Sequence, residues 1–160
     1  AGTVYKGGST GGGTTPPVNP PTTGAYPRTG WKCTAYRTAS EPNASPANAI
    51  DSMVGWHWTN GEPQKNTRNQ WFQVEVPSPI KIGKLTLATR NDRTTDYPLG
   101  LFAQTSNDGT NWTTVPVTIS GTSSMTVTVT GAPTAKFIRL APSVASQHWW
   151  SIEQLNIFPS

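Results

Sequence analysis

The sequence predicts an all-β domain, built as an antiparallel β-sandwich, and three observations support this fold class. Apolar and polar residues alternate in several short stretches, β-branched residues are common in them, and Gly, Pro, Asn and Asp separate them. No window longer than about ten residues keeps a helical period without an interrupting Gly or Pro, so little regular helix is expected. In such a sandwich, the loops at the ends of the strands carry function.

Each strand is predicted from a local pattern. The predicted strands are one that opens at Trp31 and the stretches 71–76, 80–88, 99–105, 125–130, 135–141 and 152–158. The first alternating stretch is expected to end at Pro77, because proline cannot donate to a strand ladder. After residue 105, the sequence Asn107-Asp108-Gly109 suits a tight hairpin turn.

The domain organisation follows from length and from an uneven composition. The 160 residues allow about one domain. Residues 1–24 are dense in Gly, Pro, Ser and Thr and are predicted to be an interdomain linker with the remnant of a preceding domain. Residues 25–160 are predicted to be the folded module. Because no signal peptide opens the chain, we expect a piece cut from a longer protein.

Composition excludes several classes of function. The net charge is +4, but no run of basic residues occurs, which argues against a nucleic-acid binder. No stretch approaches the roughly 20 apolar residues of a membrane-spanning helix. The single cysteine, Cys33, excludes an intrachain disulfide and a cysteine-based metal cluster.

Catalytic motifs are also missing. The two histidines, His57 and His148, have no metal-binding spacing, and there is no phosphate-binding glycine loop before a helix. A pair of carboxylates, such as Asp92 with Asp96, is left open as a glycosidase pair. The sequence predicts no catalytic residue, and an enzyme is the minority interpretation.

Seven tryptophans are the most informative feature of the composition. Trp31, Trp58, Trp71 and Trp112 are expected to pack in the core. Trp56, Trp149 and Trp150 fall in predicted loops beside polar residues. Adjacent residues of an extended chain point to opposite faces, so one of the last two can be buried while the other faces the loops.

An exposed indole beside hydrogen-bonding side chains suits a sugar, because the ring packs on the apolar C–H face of a pyranose. Polar groups that could read the hydroxyls follow the strand 80–88. The predicted carbohydrate-binding residues are Arg90, Asn91, Asp92, Trp149, Trp150, His148, Trp56 and His57. An ordinary solvated loop is the alternative interpretation of residues 90–92.

Six short stretches, in order along residues 28–158, resemble one family. They are PANAID at 46–51, QWFQVE at 70–75, DYP at 96–98, SNDGTNW at 106–112, FIRL at 137–140 and WWSI at 149–152. The chain is similar to the discoidin or coagulation factor V/VIII C-type domains, and most like a family 32-type carbohydrate-binding module. The resemblance implies a jelly-roll sandwich of about eight strands that binds a ligand without catalysis.

The resemblance also implies a biological setting. The module is expected to be a secreted monomer that targets a linked glycoside hydrolase to a polysaccharide of the glucan, chitosan or galactan type. Thr59 stands where many galactose binders of the family have a histidine, which argues against galactose. The alternative is an adhesion module for a protein or phospholipid surface, although no apolar hairpin beside basic residues is evident.

Members of the family often hold a structural Ca²⁺, and the resemblance implies which residues of this chain would be its ligands. Asp51 matches the family's aspartate, Asn48, Met53 and Trp56 would supply loop carbonyl oxygens, and Gln154, with Glu153 before it, stands at the family's glutamate. A neutral amide is a poorer Ca²⁺ ligand than a carboxylate, so the site is expected to be weak, sodium-filled or empty.

Overall fold

Within the residues that the structure describes, eleven short strands and one 3₁₀ helix form the fold. The computed structural model describes residues 24–53 and 55–160, so the predicted linker, apart from Gly24, lies outside the described residues. The strands are β1 Lys32–Ala35, β2 Trp58–Thr59, β3 Phe72–Lys81, β4 Lys84–Ala88, β5 Leu101–Ser106, β6 Thr113–Val115, β7 Val117–Gly121, β8 Ser124–Val129, β9 Thr134–Pro142, β10 Ser151–Ile152 and β11 Gln154–Phe158. The 3₁₀ helix is Pro46–Ile50. The prediction of an all-β fold is confirmed.

The strands form two main antiparallel sheets. One sheet has five strands in the order β1-β3-β9-β5-β6, the other has four in the order β11-β4-β8-β7, and β10 with β2 forms a small third sheet. Alternation gives each main sheet one apolar face, and these faces share a single core. In β3, for example, Phe72 and Val74 are buried while Gln73 and Glu75 are half-exposed. The fold is therefore the expected sandwich.

Three aromatic side chains fill the core beneath the loops. The ring of Trp58 lies 4.8 Å from that of Phe72 and 5.1 Å from that of Trp150, measured between centroids. The tilted and edge-on arrangements are those that aromatic pairs prefer. Trp58 opens β2, and Trp150 directly precedes β10. This cluster therefore anchors the loops that lead into β2 and β10 to the main sheets.

The structure corrects the predicted strand boundaries around the prolines. β3 does not end at Pro77 but continues to Lys81, with an irregular register between Glu75 and Ile80. β1 pairs only with residues 72–75, so the two prolines fall beyond its ladder, where a strand tolerates them. The predicted strand 80–88 is divided, since its first two residues finish β3 and β4 begins at Lys84.

The long loops meet at one end of the sandwich, which we call the loop end. Residues 36–53 with 55–57, 60–71, 89–100 and 143–150 leave or enter the strands there, because Ala35, Phe72 and Leu140 lie in register and Leu101 pairs with Pro142. At the opposite end, the Tyr26 backbone N–H donates to the Ile157 carbonyl at 2.9 Å. The first and last parts of the described domain thus run side by side.

Candidate functional site

Arg90 is the centre of an ionic cluster at the loop end. Its guanidinium is bound in two places by Asp92, from Nε to Oδ1 at 2.6 Å and from Nη2 to Oδ2 at 2.9 Å. Its Nη1 donates to Glu41 Oε1 at 2.8 Å, and the same oxygen lies 2.8 Å from His57 Nε2. Because a planar guanidinium fixes its partners in direction, this cluster holds the loops 36–57 and 89–100 together.

The cluster is charged at neutral pH. Burial raises the pKa of Glu41, but the hydrogen bonds with His57 and Arg90 outweigh burial and lower that pKa overall. The hydrogen bond from Arg90 is the main cause that lowers the pKa of Asp92, and the same bond raises the pKa of Arg90. Both oxygens of Asp92 are engaged by Arg90, so this carboxylate does not suit a glycosidase acid–base pair with Asp96.

The two adjacent tryptophans lie on different sides of the chain, as the alternation rule predicts. Trp150 is fully buried, and its backbone N–H donates to Asn60 Oδ1 at 2.9 Å. Trp149 is half-buried, and the guanidinium carbon of Arg93 lies 6.0 Å from its ring centroid. Trp150 is therefore corrected from a binding residue to a core residue, because it has no accessible ring face.

A cavity of about 350 Å³ opens at the loop end. This volume lies within the usual range for small-ligand sites. Its lining combines hydroxyl, amide and imidazole groups with apolar surface, and the residues are Thr95, Tyr97, Leu99, Ser146, Gln147 and His148. Trp149 directly follows His148 on the same loop, but it is not one of the residues that line the cavity.

Gln64 positions the loops that form this cavity. Its Nε2 donates to the carbonyls of Tyr97 and Trp149, both at 3.1 Å, and its side chain is fully buried. A backbone bond from Ser151 N–H to the Asp96 carbonyl, at 3.0 Å, joins the same two loops. The sequence analysis did not single out Gln64, because an isolated glutamine after a proline carries no recognisable pattern.

The other predicted carbohydrate-binding residues divide into exposed and buried ones. Asn91 is exposed, and its backbone N–H donates to Glu153 Oε1 at 3.2 Å. Trp56 is 39% exposed. His57 is buried against Glu41, so its role is corrected from sugar contact to support of the Arg90 cluster. Glu41 was not predicted as a site residue, since only the fold brings it to Arg90.

Two of the predicted cation ligands, Asp51 and Met53, already accept hydrogen bonds from the protein itself. Asp51 Oδ1 accepts the Met53 backbone N–H at 2.9 Å, and the Met53 carbonyl accepts the N–H of Trp56. The side chain of Asn48, whose backbone carbonyl is the predicted ligand, donates to the carbonyls of Asn43 and His57. Burial is the main cause that raises the pKa of Asp51.

The two residues near the family's glutamate are also engaged. Gln154 Oε1 accepts a bond from Arg28 at 2.9 Å, and Glu153 points to the backbone of Asn91. Within residues 24–53 and 55–160, no three His, Cys, Asp or Glu side chains come together as a metal site. This donor set fits a divalent cation poorly, and calcium binding stays a prediction.

Comparison with solved structures supports the fold. The chain is similar to CpGH89CBM32-5 from Clostridium perfringens, in complex with GalNAc-β-1,3-galactose, with 21% identity, a TM-score of 0.69 and coverage of 84% of this chain and 99% of that one. It is 25% identical to chitosan-binding module 1 of a chitosanase/glucanase from Paenibacillus sp. IK-5, with a TM-score of 0.62 and coverage of 79% and 93%.

A pectin-binding carbohydrate-binding module is similar to the same degree, at 25% identity and a TM-score of 0.62, with coverage of 79% of this chain and 88% of that one. No curated protein sequence matches the chain. No helix in the part of the chain that the structure describes is long and apolar enough to cross a membrane. Residues 32–155 match the F5/8 type C domain, and the chain therefore belongs to the F5/8 type C domain family.

Proposed function

We propose that the chain is a non-catalytic carbohydrate-binding module, whose ligand binds at the loop end. The half-exposed ring of Trp149, on the loop that also supplies Ser146, Gln147 and His148 to the cavity, carries this proposal. A pyranose stacks its C–H face on an indole, while fixed polar groups around it accept and donate hydrogen bonds to its hydroxyls. Similar modules of known structure are named for binding chitosan and pectin.

Each part of the loop end has its own role in this proposal. Trp149 supplies the stacking surface, and Arg93, Gln147 and His148 supply polar contacts beside it. The cluster of Arg90 with Glu41 and Asp92 holds the loops in place, so that little conformational freedom is lost on binding.

The module serves to keep a linked polysaccharide-degrading enzyme near its substrate outside the cell. A linker joined to residue 24 would raise the effective concentration of substrate at a catalytic domain, which makes micromolar to millimolar affinity, roughly, sufficient. The substrate proposed is a glucan, chitosan or galactan, bound by one monomeric module.

Retention of the purified chain on a panel of insoluble glycans tests the proposal. Trp149→Ala should abolish retention on the glycan that the unmodified chain binds, and leave the melting temperature within about 3 °C. Trp112→Ala is the matched control, because it removes a half-buried indole at the opposite end and should leave retention intact. Unchanged retention in Trp149→Ala would contradict the site.

A second function, adhesion to a lipid or protein surface, is favoured by one observation. The exposed large hydrophobic side chains among the described residues all lie on the loops 51–57, 89–100 and 143–150, and they are Met53, Trp56, Leu99 and Val144. Such a group suits insertion into an apolar surface. Sedimentation with phosphatidylserine vesicles, without retention on any glycan, would favour adhesion over sugar binding.

A further inference from the structure

A buried arginine lies beside the residues that the family resemblance assigns to a cation. Arg28 is 3% exposed and belongs to the segment that runs next to β11. Its Nη1 donates to Gln154 Oε1 at 2.9 Å and to the Leu155 carbonyl at 3.0 Å. The residue at the position of the family's carboxylate is therefore an amide that accepts from a guanidinium.

The other predicted side-chain ligand, Asp51, follows an element that packs on the same strand. The 3₁₀ helix Pro46–Ile50 leads directly to Asp51 and packs on β11, the strand that carries Gln154. Arg28 is therefore bonded to the strand that forms one side of the predicted cation site.

A divalent cation and Arg28 compete for the same oxygens. Ca²⁺ requires six to eight oxygen ligands, typically with several carboxylates. Here Gln154 is neutral and accepts from Arg28, and Glu153 is engaged by the Asn91 backbone, so Asp51 remains as the carboxylate of the predicted set. A Ca²⁺ ion added at this place would have to displace the bond from Arg28 to Gln154 and would lie near a buried positive charge.

We propose that the Arg28 guanidinium takes the place of the family's structural cation, so that this module folds without calcium. An arginine supplies a permanent charge with fixed donor directions, which suits carbonyl and amide acceptors. Covalent attachment also means that this charge is present at any calcium concentration.

Thermal unfolding of the full chain tests the proposal independently of any sugar. The melting temperature should agree within about 1 °C in about 1 mM EGTA and in about 5 mM CaCl₂. A calcium site that is saturated under these conditions would raise the melting temperature by about 5 °C or more. A saturable rise of that size in the unmodified chain would overturn the proposal.

A conservative variant separates the role of Arg28 from that of the missing carboxylate. Gln154→Glu restores the acidic residue but keeps Arg28, so an ion pair should form and the melting temperature should still ignore calcium. Asn156→Asp, two residues further along β11, controls for the added charge. If Gln154→Glu gains a calcium-dependent rise, Arg28 does not fill the site and the proposal is wrong.

Discussion

Trp149 and Trp150 show at the scale of single residues how one peptide step separates a surface indole from a core indole. The extended chain turns the two indoles to opposite sides, one toward the loop end and one into the core with Trp58 and Phe72. A substitution of Trp149 therefore changes the surface of the loop end, whereas a substitution of Trp150 changes the packing of the core.

Trp150→Ala should destabilise the domain by about 3–5 kcal/mol, because it removes a fully buried aromatic side chain and leaves a cavity. Urea unfolding followed by tryptophan fluorescence measures this free energy. Phe158→Ala, at a half-buried position on the last strand, should cost much less. A loss below about 1 kcal/mol for Trp150→Ala would contradict its place in the core.

Asp96 is the carboxylate that burial most clearly disfavours in its charged form. It is 4% exposed, its Oδ2 has no hydrogen-bond partner among the described residues, and burial raises its pKa even though Arg93, Arg90 and His148 partly oppose that rise. Because the pKa of Asp96 is raised in the folded state, its carboxyl contributes to stability at low pH. This contribution is lost as the pH rises through the folded-state pKa.

Asp96→Asn should therefore raise the melting temperature at pH 7, and the gain should vanish near pH 3, where the unmodified carboxyl is protonated as well. Differential scanning calorimetry at both pH values measures the difference. Asp108→Asn is the contrasting variant, because hydrogen bonds lower the pKa of Asp108, chiefly the one from the Asn111 backbone. A lower melting temperature of Asp96→Asn at pH 7 would refute the prediction.

Prediction of the site from sequence depended on whether a residue carries a local signal. Arg90, Asp92 and Trp149 follow or precede recognisable strands and lie at the loop end, and their part in sugar binding stays a prediction. Glu41 and Gln64 act through partners 49 and 33 residues away along the chain, so no local pattern marks them. Long-range contacts of this kind become visible only once the strands are assembled.

At the scale of secondary-structure elements, Arg139 of β9 joins the outer face of the five-stranded sheet to the turn at its far end. Its guanidinium carbon lies 4.1 Å from the ring centroid of Trp71 and 4.2 Å from that of Trp112, and its Nε donates to Gln73 Oε1 at 2.8 Å. Trp71 and Trp112 were expected in the core. They are half-exposed instead, since a cation covers one face of each ring.

Arg139→Met should lower stability by about 1–2 kcal/mol through loss of both cation–π contacts, while glycan retention stays unchanged. Chemical unfolding gives the first quantity and the glycan panel the second. Lys136→Met, near the ring of Phe137 on the same strand, is a comparable removal of charge with a smaller expected effect. Loss of glycan retention in Arg139→Met would show that the sheet face takes part in binding.

Prediction of the strands succeeded where apolar and polar residues alternate strongly, and it failed where pairing with a neighbouring strand decides the strand boundaries. β8 follows its apolar period closely, whereas β9 departs from alternation at the half-exposed Phe137 and at its buried last three residues. The continuation of β3 through two prolines was not predictable from local sequence, because it depends on where β1 stops pairing. β6 and β7 were also missed, since exposed threonine-rich edges carry a weak apolar signal.

At the scale of the whole molecule, the order of six short motifs predicted the fold more securely than any single strand. Each motif marks a structural requirement, such as the buried 3₁₀ helix that leads to Asp51 or the stacking of Arg139 on Trp112. The fold has to satisfy all of these requirements together. Ligand identity could not be predicted in this way, because it depends on loop side chains that the sandwich leaves free to vary.

The pairing of Tyr26 with Ile157 decides how the domain sits when it is attached to something else. Both ends of the described residues lie at the end of the sandwich away from the loops, so a fusion at either of them leaves the loop end accessible. A module attached through these ends to a bead, a cell wall or a neighbouring catalytic domain therefore presents its loops away from the point of attachment.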